Sequence, residues 1–155
     1  MLGVRGLSSL WRTITLCALG ATLAASASPS NEPTLEELKA RLSSTSIGDR
    51  PHLCVQIAEK QLAEVDRLYA AAEVEKGQAA LTDVVAFSEL ARDYAIQSHK
   101  YQKQTEIAAR SMSRKLTDLL HSLGREDQVP GRDAINRLQR VRDDLLFAMF
   151  PKGAK

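Results

Sequence analysis

Apolar residues recur every three or four positions along most of this chain, a spacing typical of amphipathic helices. The first such stretch is short and carries Leu35, Leu38 and Leu42 on one face. Thr34 and Glu37 form a capping box at its start, in which each side chain can accept a hydrogen bond from the other residue's backbone N–H. The pattern therefore predicts a helix of about ten residues that begins after Thr34.

A second helix is predicted from Pro51 to the stretch 70–77, where the pattern weakens and the chain turns. Pro51 suits a first helical turn because its missing N–H would have no helical partner there. One half of the helical wheel is apolar and the other half is charged or polar. The apolar half holds Leu53, Cys54, Ile57, Ala58, Leu62, Val65, Leu68, Tyr69 and Ala72.

The next apolar stripe keeps one phase over residues 78–123. A loop between two helices would normally reset that phase, so the pattern predicts one long helix of roughly 70 Å, ended by Gly124. The alternative is a compact four-helix bundle in which this helix breaks between Gln97 and Gln104. Between positions 91 and 109 the stripe consists of small and polar residues and two tyrosines, so it must pack closely or meet solvent or a ligand.

The last helix is predicted to begin after Gly131, at the end of the loop 125–131, and to continue to about Met149. Phe150 and Pro151 follow and stop it. Phe147 projects away from the apolar stripe of this helix, among charged residues. The stripe itself consists of Ile135, Leu138, Val141, Leu145 and Met149.

Helix lengths suggest an architecture. The second and last helices together are about as long as the 78–123 helix, and both join it through short turns that favour antiparallel neighbours. We therefore expect an all-α, antiparallel helical bundle built on one long central helix, with two shorter flanking helices and a short N-terminal helix. Residues 34–155 would form this single domain.

Residues 62–81, LAEVDRLYAAAEVEKGQAAL, resemble the helical hairpin of a tetratricopeptide repeat. Ala72 and Gly77 stand where that repeat usually has glycine and alanine, respectively. The resemblance covers this segment once, without a second copy at a 34-residue period. It implies an antiparallel helix pair at this point of the chain.

The first 27 residues are typical of a signal peptide. Arg5 and Arg12 precede an apolar, uncharged run at 13–25, and the small residues Ala25 and Ala27 fit the pattern required for cleavage. The run is shorter than the roughly 20 residues that a membrane-spanning helix needs. We therefore predict cleavage after Ala27, a linker at 28–33, no stable membrane anchor afterwards, and export to the periplasm or the extracellular space.

The net charge of the chain limits the classes of partner that can be expected. The formal charge of +2 comes from the predicted signal peptide, because residues 28–155 hold 19 basic and 19 acidic residues. A mature chain of zero net charge gives no electrostatic reason to expect a nucleic acid partner.

The sequence contains no recognisable catalytic arrangement. His52, His99 and His121 all fall on the polar sides of their helices, which favours solvated surface positions over metal binding. Phosphate-loop, nucleophile-elbow and dinucleotide-binding motifs are also absent from the sequence. We therefore expect no enzyme activity, no metal site and no cofactor.

These observations favour a non-catalytic exported protein that binds a protein partner or its own copy. The candidate residues are the small, tyrosine-bearing middle of the long helix and the outward aromatic residue: Tyr94, Ser98, Tyr101, Gln102 and Phe147. The alternative is a carrier of a small ligand or cofactor, with a pocket between the helices. That pocket would be lined by Tyr94, Ser98, Tyr101, Gln102, Met112 and Met149.

Cys54 is the one cysteine of the predicted mature chain. Its place near the middle of the apolar half-wheel predicts burial in the core, and an intermolecular disulfide is the alternative.

Overall fold

The computed structural model describes residues 32–151, which fold as helices joined by turns, with no β-strand in that range. The expected all-α helical bundle is confirmed. The predicted signal peptide, most of the 28–33 linker and the last four residues lie outside the described range. The helices are α1 (Leu35–Leu42), α2 (Arg50–Ala70), α3 (Val74–Ser98), α4 (Gln102–Leu120) and α5 (Gln128–Met149).

The single helix predicted over 78–123 is wrong, because α3 ends at Ser98 and α4 begins at Gln102. Between them, His99 and Tyr101 adopt left-handed backbone conformations, with φ angles of 56° and 60°. These two residues reverse the chain. The alternative arrangement, a compact bundle with a break between 97 and 104, describes the fold.

The directions of the helices follow from their ion pairs. Arg137 of α5 binds Glu89 of α3 at 2.7 Å, and further along both helices Asp144 of α5 binds Arg92 of α3 at 3.0 Å. The later residue of α5 pairs with the later residue of α3, so the two helices run parallel. Around the bundle the neighbours are α2, α3, α5 and α4 in turn, which places α2 and α5 on opposite corners.

Helix α5 lies antiparallel to α4, because Arg142 near its end reaches Glu106 near the start of α4. At the other end, Gly131 is buried, and a Cβ atom there would lie 2.2 Å from Cδ2 of Leu120. Glycine therefore permits the close approach of α4 and α5. The expected helix start after Gly131 is also wrong, because α5 begins at Gln128.

Proline explains this earlier start. Pro130 occupies the first turn of α5, where its missing N–H leaves no helical hydrogen bond unmade. Gly131 then serves as a packing residue inside the helix rather than as a turn residue.

The α2–α3 turn closes with backbone hydrogen bonds of the Schellman type. The N–H of Glu73 donates to the carbonyl of Leu68 at 2.9 Å, and the N–H of Ala72 donates to the carbonyl of Tyr69 at 3.0 Å. Ala72 is left-handed there, with a φ of 59°. Beyond the turn, the ring of Tyr69 lies on Gly77, where a Cβ would approach it to 3.2 Å. The antiparallel pair expected from the repeat-like segment is therefore present.

Helix α1 has the predicted capping box, with Thr34 and Glu37 bonded in both directions. It covers one end of α2, where its Leu38 is 1% exposed and shares an apolar cluster with Leu53 and Ile57. The main core lies between α2, α3, α4 and α5.

Candidate functional site

Two aromatic residues predicted as candidates, Tyr94 near the end of α3 and Tyr101 just before α4, each contact a residue at the start of α2. The guanidinium carbon of Arg50 lies 5.3 Å from the centre of the Tyr94 ring, within the range of a cation–π contact. The Tyr101 ring stacks on His52, with centroids 5.6 Å apart and an interplanar angle of 24°. These contacts tie the chain reversal to the start of α2.

The Ser98 hydroxyl is engaged by the local backbone. It donates to the carbonyl of Tyr94 at 2.7 Å and accepts from the N–H of Lys100 at 3.3 Å, which closes the end of α3. Gln102 is half-buried at the start of α4.

Met112, assigned to the ligand pocket in the alternative hypothesis, is 2% exposed in the main core. The ligand-carrier hypothesis stays a prediction.

Phe147 lies on a separate surface, formed by α3 and α5, and the residue is 67% exposed. Beside it is an open hollow of about 560 Å³. Ile96 and Ala148 supply the apolar part of the hollow. The lining residues are Arg92, Asp93, Ile96, Asp144, Phe147 and Ala148. We call this surface the Phe147 hollow.

The charges at the Phe147 hollow are largely paired. Arg92 binds Asp93 at 2.8 Å and Asp144 at 3.0 Å. The side chain of Arg92 is 22% exposed and lies between two carboxylates, so the rim around the apolar part carries one net negative charge. The sequence indicated Phe147 as unusual, but the hollow depends on the parallel pairing of α3 and α5, which a continuous helix over 78–123 would not produce.

A groove between α4 and α5 was missed entirely by sequence reasoning. It has a volume of about 290 Å³, and three of its side chains are arginines. Its lining residues are Ala109, Arg110, Ser113, Arg114, Leu138, Gln139 and Arg142. The i, i+4 spacing of Arg110 and Arg114 was the available signal in the sequence. That spacing alone does not predict the groove, because the groove also needs Arg142 of α5 beside these two residues. We call this site the arginine groove.

A third surface groove, of about 560 Å³, separates α2 from α4. Its apolar floor includes Leu62 and Leu119, and its rim carries more acidic than basic side chains. The charged lining residues are Glu59, Asp66, Asp118 and Lys115.

Cys54 is buried with 0% of its surface exposed, as the half-wheel predicted. Burial raises the pKa of its thiol to about 11, and the positive charge of Arg50 offsets part of that effect. A neutral thiol in an apolar setting is a weak nucleophile. The local environment therefore suits a packing residue.

The three histidines are exposed, as their positions on the helical wheels predict. Among residues 32–151, no group of three or more His, Cys, Asp or Glu side chains is placed to hold a metal ion.

None of the helices within residues 32–151 combines the length and the apolar character needed to cross a membrane.

Comparisons with protein families, with curated proteins and with solved structures find no match for this chain.

Proposed function

We propose that this chain is a non-catalytic helical protein that acts by protein–protein interaction, and that it binds a second copy of itself through the Phe147 hollow. The observation that carries the proposal is the exposure of Phe147 directly beside an apolar hollow. Exposing a large aromatic side chain to water is unfavourable, so such a patch is typical of an interaction surface.

A second copy is favoured as the partner because the projecting ring and the hollow belong to the same surface. In a twofold dimer each surface meets its own copy, so each Phe147 ring can enter the hollow of the other molecule. The paired charges of Arg92 and Asp144 would then lie at the edge of the contact and would not be buried alone.

Interface size indicates that this contact is weak. Two inserted phenylalanine rings bury on the order of 300–500 Å², whereas a stable interface buries roughly 1,200–2,000 Å². We therefore expect a reversible dimer that forms at high micromolar or higher concentration, unless the contact extends along α3 and α5.

We also propose that the protein is exported to the periplasm or the extracellular space. Residues 1–27 support this proposal through their two arginines, apolar run and small cleavage-site residues. Intact mass measurement of the protein recovered from the expressing cells tests it. A chain that begins at Ser28 supports export, and a full-length intracellular chain contradicts it.

Sedimentation velocity over a wide concentration range tests the interaction. We expect the parent chain to sediment faster as its concentration rises, and Phe147→Ser to remain monomeric at every concentration. Val129→Ser is the matched control because Val129 is also 67% exposed and lies in α5, at its opposite end. Equal behaviour of the two variants would contradict the role of Phe147.

A further inference from the structure

The arginine groove concentrates positive charge on a chain whose predicted mature part is neutral. Arg110 and Arg114 lie one turn apart on α4, and Arg142 faces them from α5. The side chains of Arg110 and Arg142 are 44% and 41% exposed, so more than half of each is covered by protein. Partly covered like charges repel one another more than fully solvated ones do, because they are less screened by water.

Glu106 offsets part of this charge. Its carboxylate accepts from Nε of Arg142 at 2.9 Å and lies 3.7 Å from Nη2 of Arg110. Arg114 forms no ion pair with any residue between 32 and 151. One carboxylate against three guanidinium groups leaves two positive charges at the groove uncompensated.

The same contacts make the groove suited to an anion. Glu106 binds Arg142 through Nε, so the two terminal nitrogens of that guanidinium are not used in this hydrogen bond. The Ser113 hydroxyl and the Gln139 side-chain amide add neutral hydrogen-bonding groups to the same lining. Guanidinium groups bind tetrahedral and planar oxyanions through paired N–H donors.

We propose that the arginine groove binds a phosphate group. A phosphate monoester carries about 1.5 to 2 negative charges at neutral pH, which matches the two uncompensated positive charges. A carboxylate brings a single charge and would leave the groove positive. The groove volume of about 290 Å³ leaves room for a substituent on the phosphate. The phosphate can therefore be free or belong to a lipid headgroup.

Titration of the purified chain with inorganic phosphate tests the proposal, with the arginine Nε–H resonances as the readout. We expect the signals of Arg110, Arg114 and Arg142 to shift in a saturable way. The signal of Arg140, an exposed arginine of α5 outside the groove lining, should stay in place. Acetate at equal ionic strength should produce much smaller shifts. Uniform shifts of all arginines, or equal responses to the two anions, would overturn the proposal.

Variants provide a second measurement. We expect Arg114→Gln to weaken phosphate binding about tenfold, because one charged donor is lost, while Arg140→Gln binds like the parent chain. Arg114 has no partner carboxylate in the described range, so its loss leaves no buried charge unpaired. Equal affinity of Arg114→Gln and the parent would overturn the proposal. If that variant fails to fold, the titration of the parent chain decides alone.

Vesicles separate the two sources of the phosphate. Binding to phosphatidylcholine vesicles that contain phosphatidic acid, lost in Arg114→Gln and kept in Arg140→Gln, would support a lipid headgroup. Saturable binding of inorganic phosphate without vesicle binding would support a soluble phosphate. Failure of both probes to bind would overturn the site, and neither result depends on dimer formation through Phe147.

Discussion

Nε of Arg142 donates a hydrogen bond of 2.9 Å to Oε1 of Glu106, and the Glu106 side chain that accepts it is 9% exposed. Breaking such a pair from one side leaves a covered carboxylate with a weaker partner, since Arg110 is 3.7 Å away. We expect Arg142→Met to lower the free energy of unfolding by about 1 to 3 kcal/mol, less than for a fully buried pair because Arg142 is 41% exposed. Urea unfolding measures this loss.

The control for this prediction is Arg140→Met, which removes an exposed arginine from the same helix and should change the stability by less than about 0.5 kcal/mol. A double variant with Glu106→Gln should lose less stability than the two single variants added together. Additive losses would show that the pair is not coupled.

The α2–α3 turn offers a stabilising substitution. Ala72 has a φ of 59°, where an L-residue with a Cβ is disfavoured by roughly 1 to 2 kcal/mol and glycine is not. Glycine also raises the entropy of the unfolded chain, which offsets part of the gain. We expect Ala72→Gly to stabilise the protein by about 0.5 to 1 kcal/mol in thermal unfolding.

Ala71→Gly is the matched control for the turn. Ala71 has a φ of −84°, which alanine adopts without strain, so glycine there should destabilise by about 0.5 to 1 kcal/mol. The same sign for both substitutions would contradict the left-handed assignment of Ala72.

A buried hydroxyl gives the next prediction. Thr105 is 2% exposed, and its Oγ1 atom has no hydrogen-bond partner among the described residues. Because an unsatisfied buried polar group is unfavourable, we expect Thr105→Val to stabilise the protein by about 1 kcal/mol. Thr117→Val is the control, since the exposed Thr117 donates to the carbonyl of Ser113 at 2.9 Å. Destabilisation by Thr105→Val would mean that its hydroxyl has a partner in solution.

Cys54 predicts a loss of stability at alkaline pH. Burial raises the pKa of the folded thiol from 9.0 to about 11, so the folded state holds the proton more tightly than the unfolded state does. The contribution of the Cys54 thiol to the free energy of unfolding is therefore fully present below pH 9. It is lost as the pH rises towards 11, which lowers the free energy of unfolding by about 2 to 3 kcal/mol. Urea unfolding in reducing buffer at several pH values measures this dependence.

Cys54→Ala separates this thiol from other groups that titrate at high pH. We expect the variant to be slightly less stable than the parent at pH 8, because it removes a packed atom, and more stable near pH 10.5. Parallel stability curves would contradict the effect of the thiol. Membrane-impermeant maleimide should also react slowly with the folded parent and quickly in denaturant.

The sequence predicts α1 and α2 well because each has its own apolar face, and α1 also has its cap. Thr34 and Glu37 mark the start of α1, and the half-wheel around Cys54 places that residue in the core, as found. Local spacing carries this information, so no knowledge of the neighbouring helices is needed.

The break between α3 and α4 could not be predicted from that spacing. The three residues from His99 to Tyr101 nearly equal one helical turn, so the apolar stripe passes across them without a change of phase. Neither Gly nor Pro marks the reversal. Histidine tolerates the left-handed region better than most residues, which was the weak signal available.

The candidate sites could not be predicted from the apolar spacing either, because each is formed by residues of two helices. Phe147 was conspicuous in the sequence because it lies outside its apolar stripe, but its hollow needs Ile96 from α3 beside it. Arg142 joins Arg110 and Arg114 only because α5 lies antiparallel to α4. Contacts between distant segments follow from the reversal at 99–101, which the periodic pattern conceals.

The self-association through the Phe147 hollow is tested most directly by isotope-filtered NMR on a mixture of differently labelled copies. One copy carries ¹³C-labelled isoleucine methyl groups, and the other carries protonated phenylalanine rings in an otherwise deuterated chain. At millimolar concentration we expect a cross-copy NOE between the Phe147 ring and the Ile96 methyl group, absent when the ring-bearing copy is Phe147→Ser. A parent mixture that shows no such NOE and sediments as a monomer at that concentration would contradict the proposed dimer.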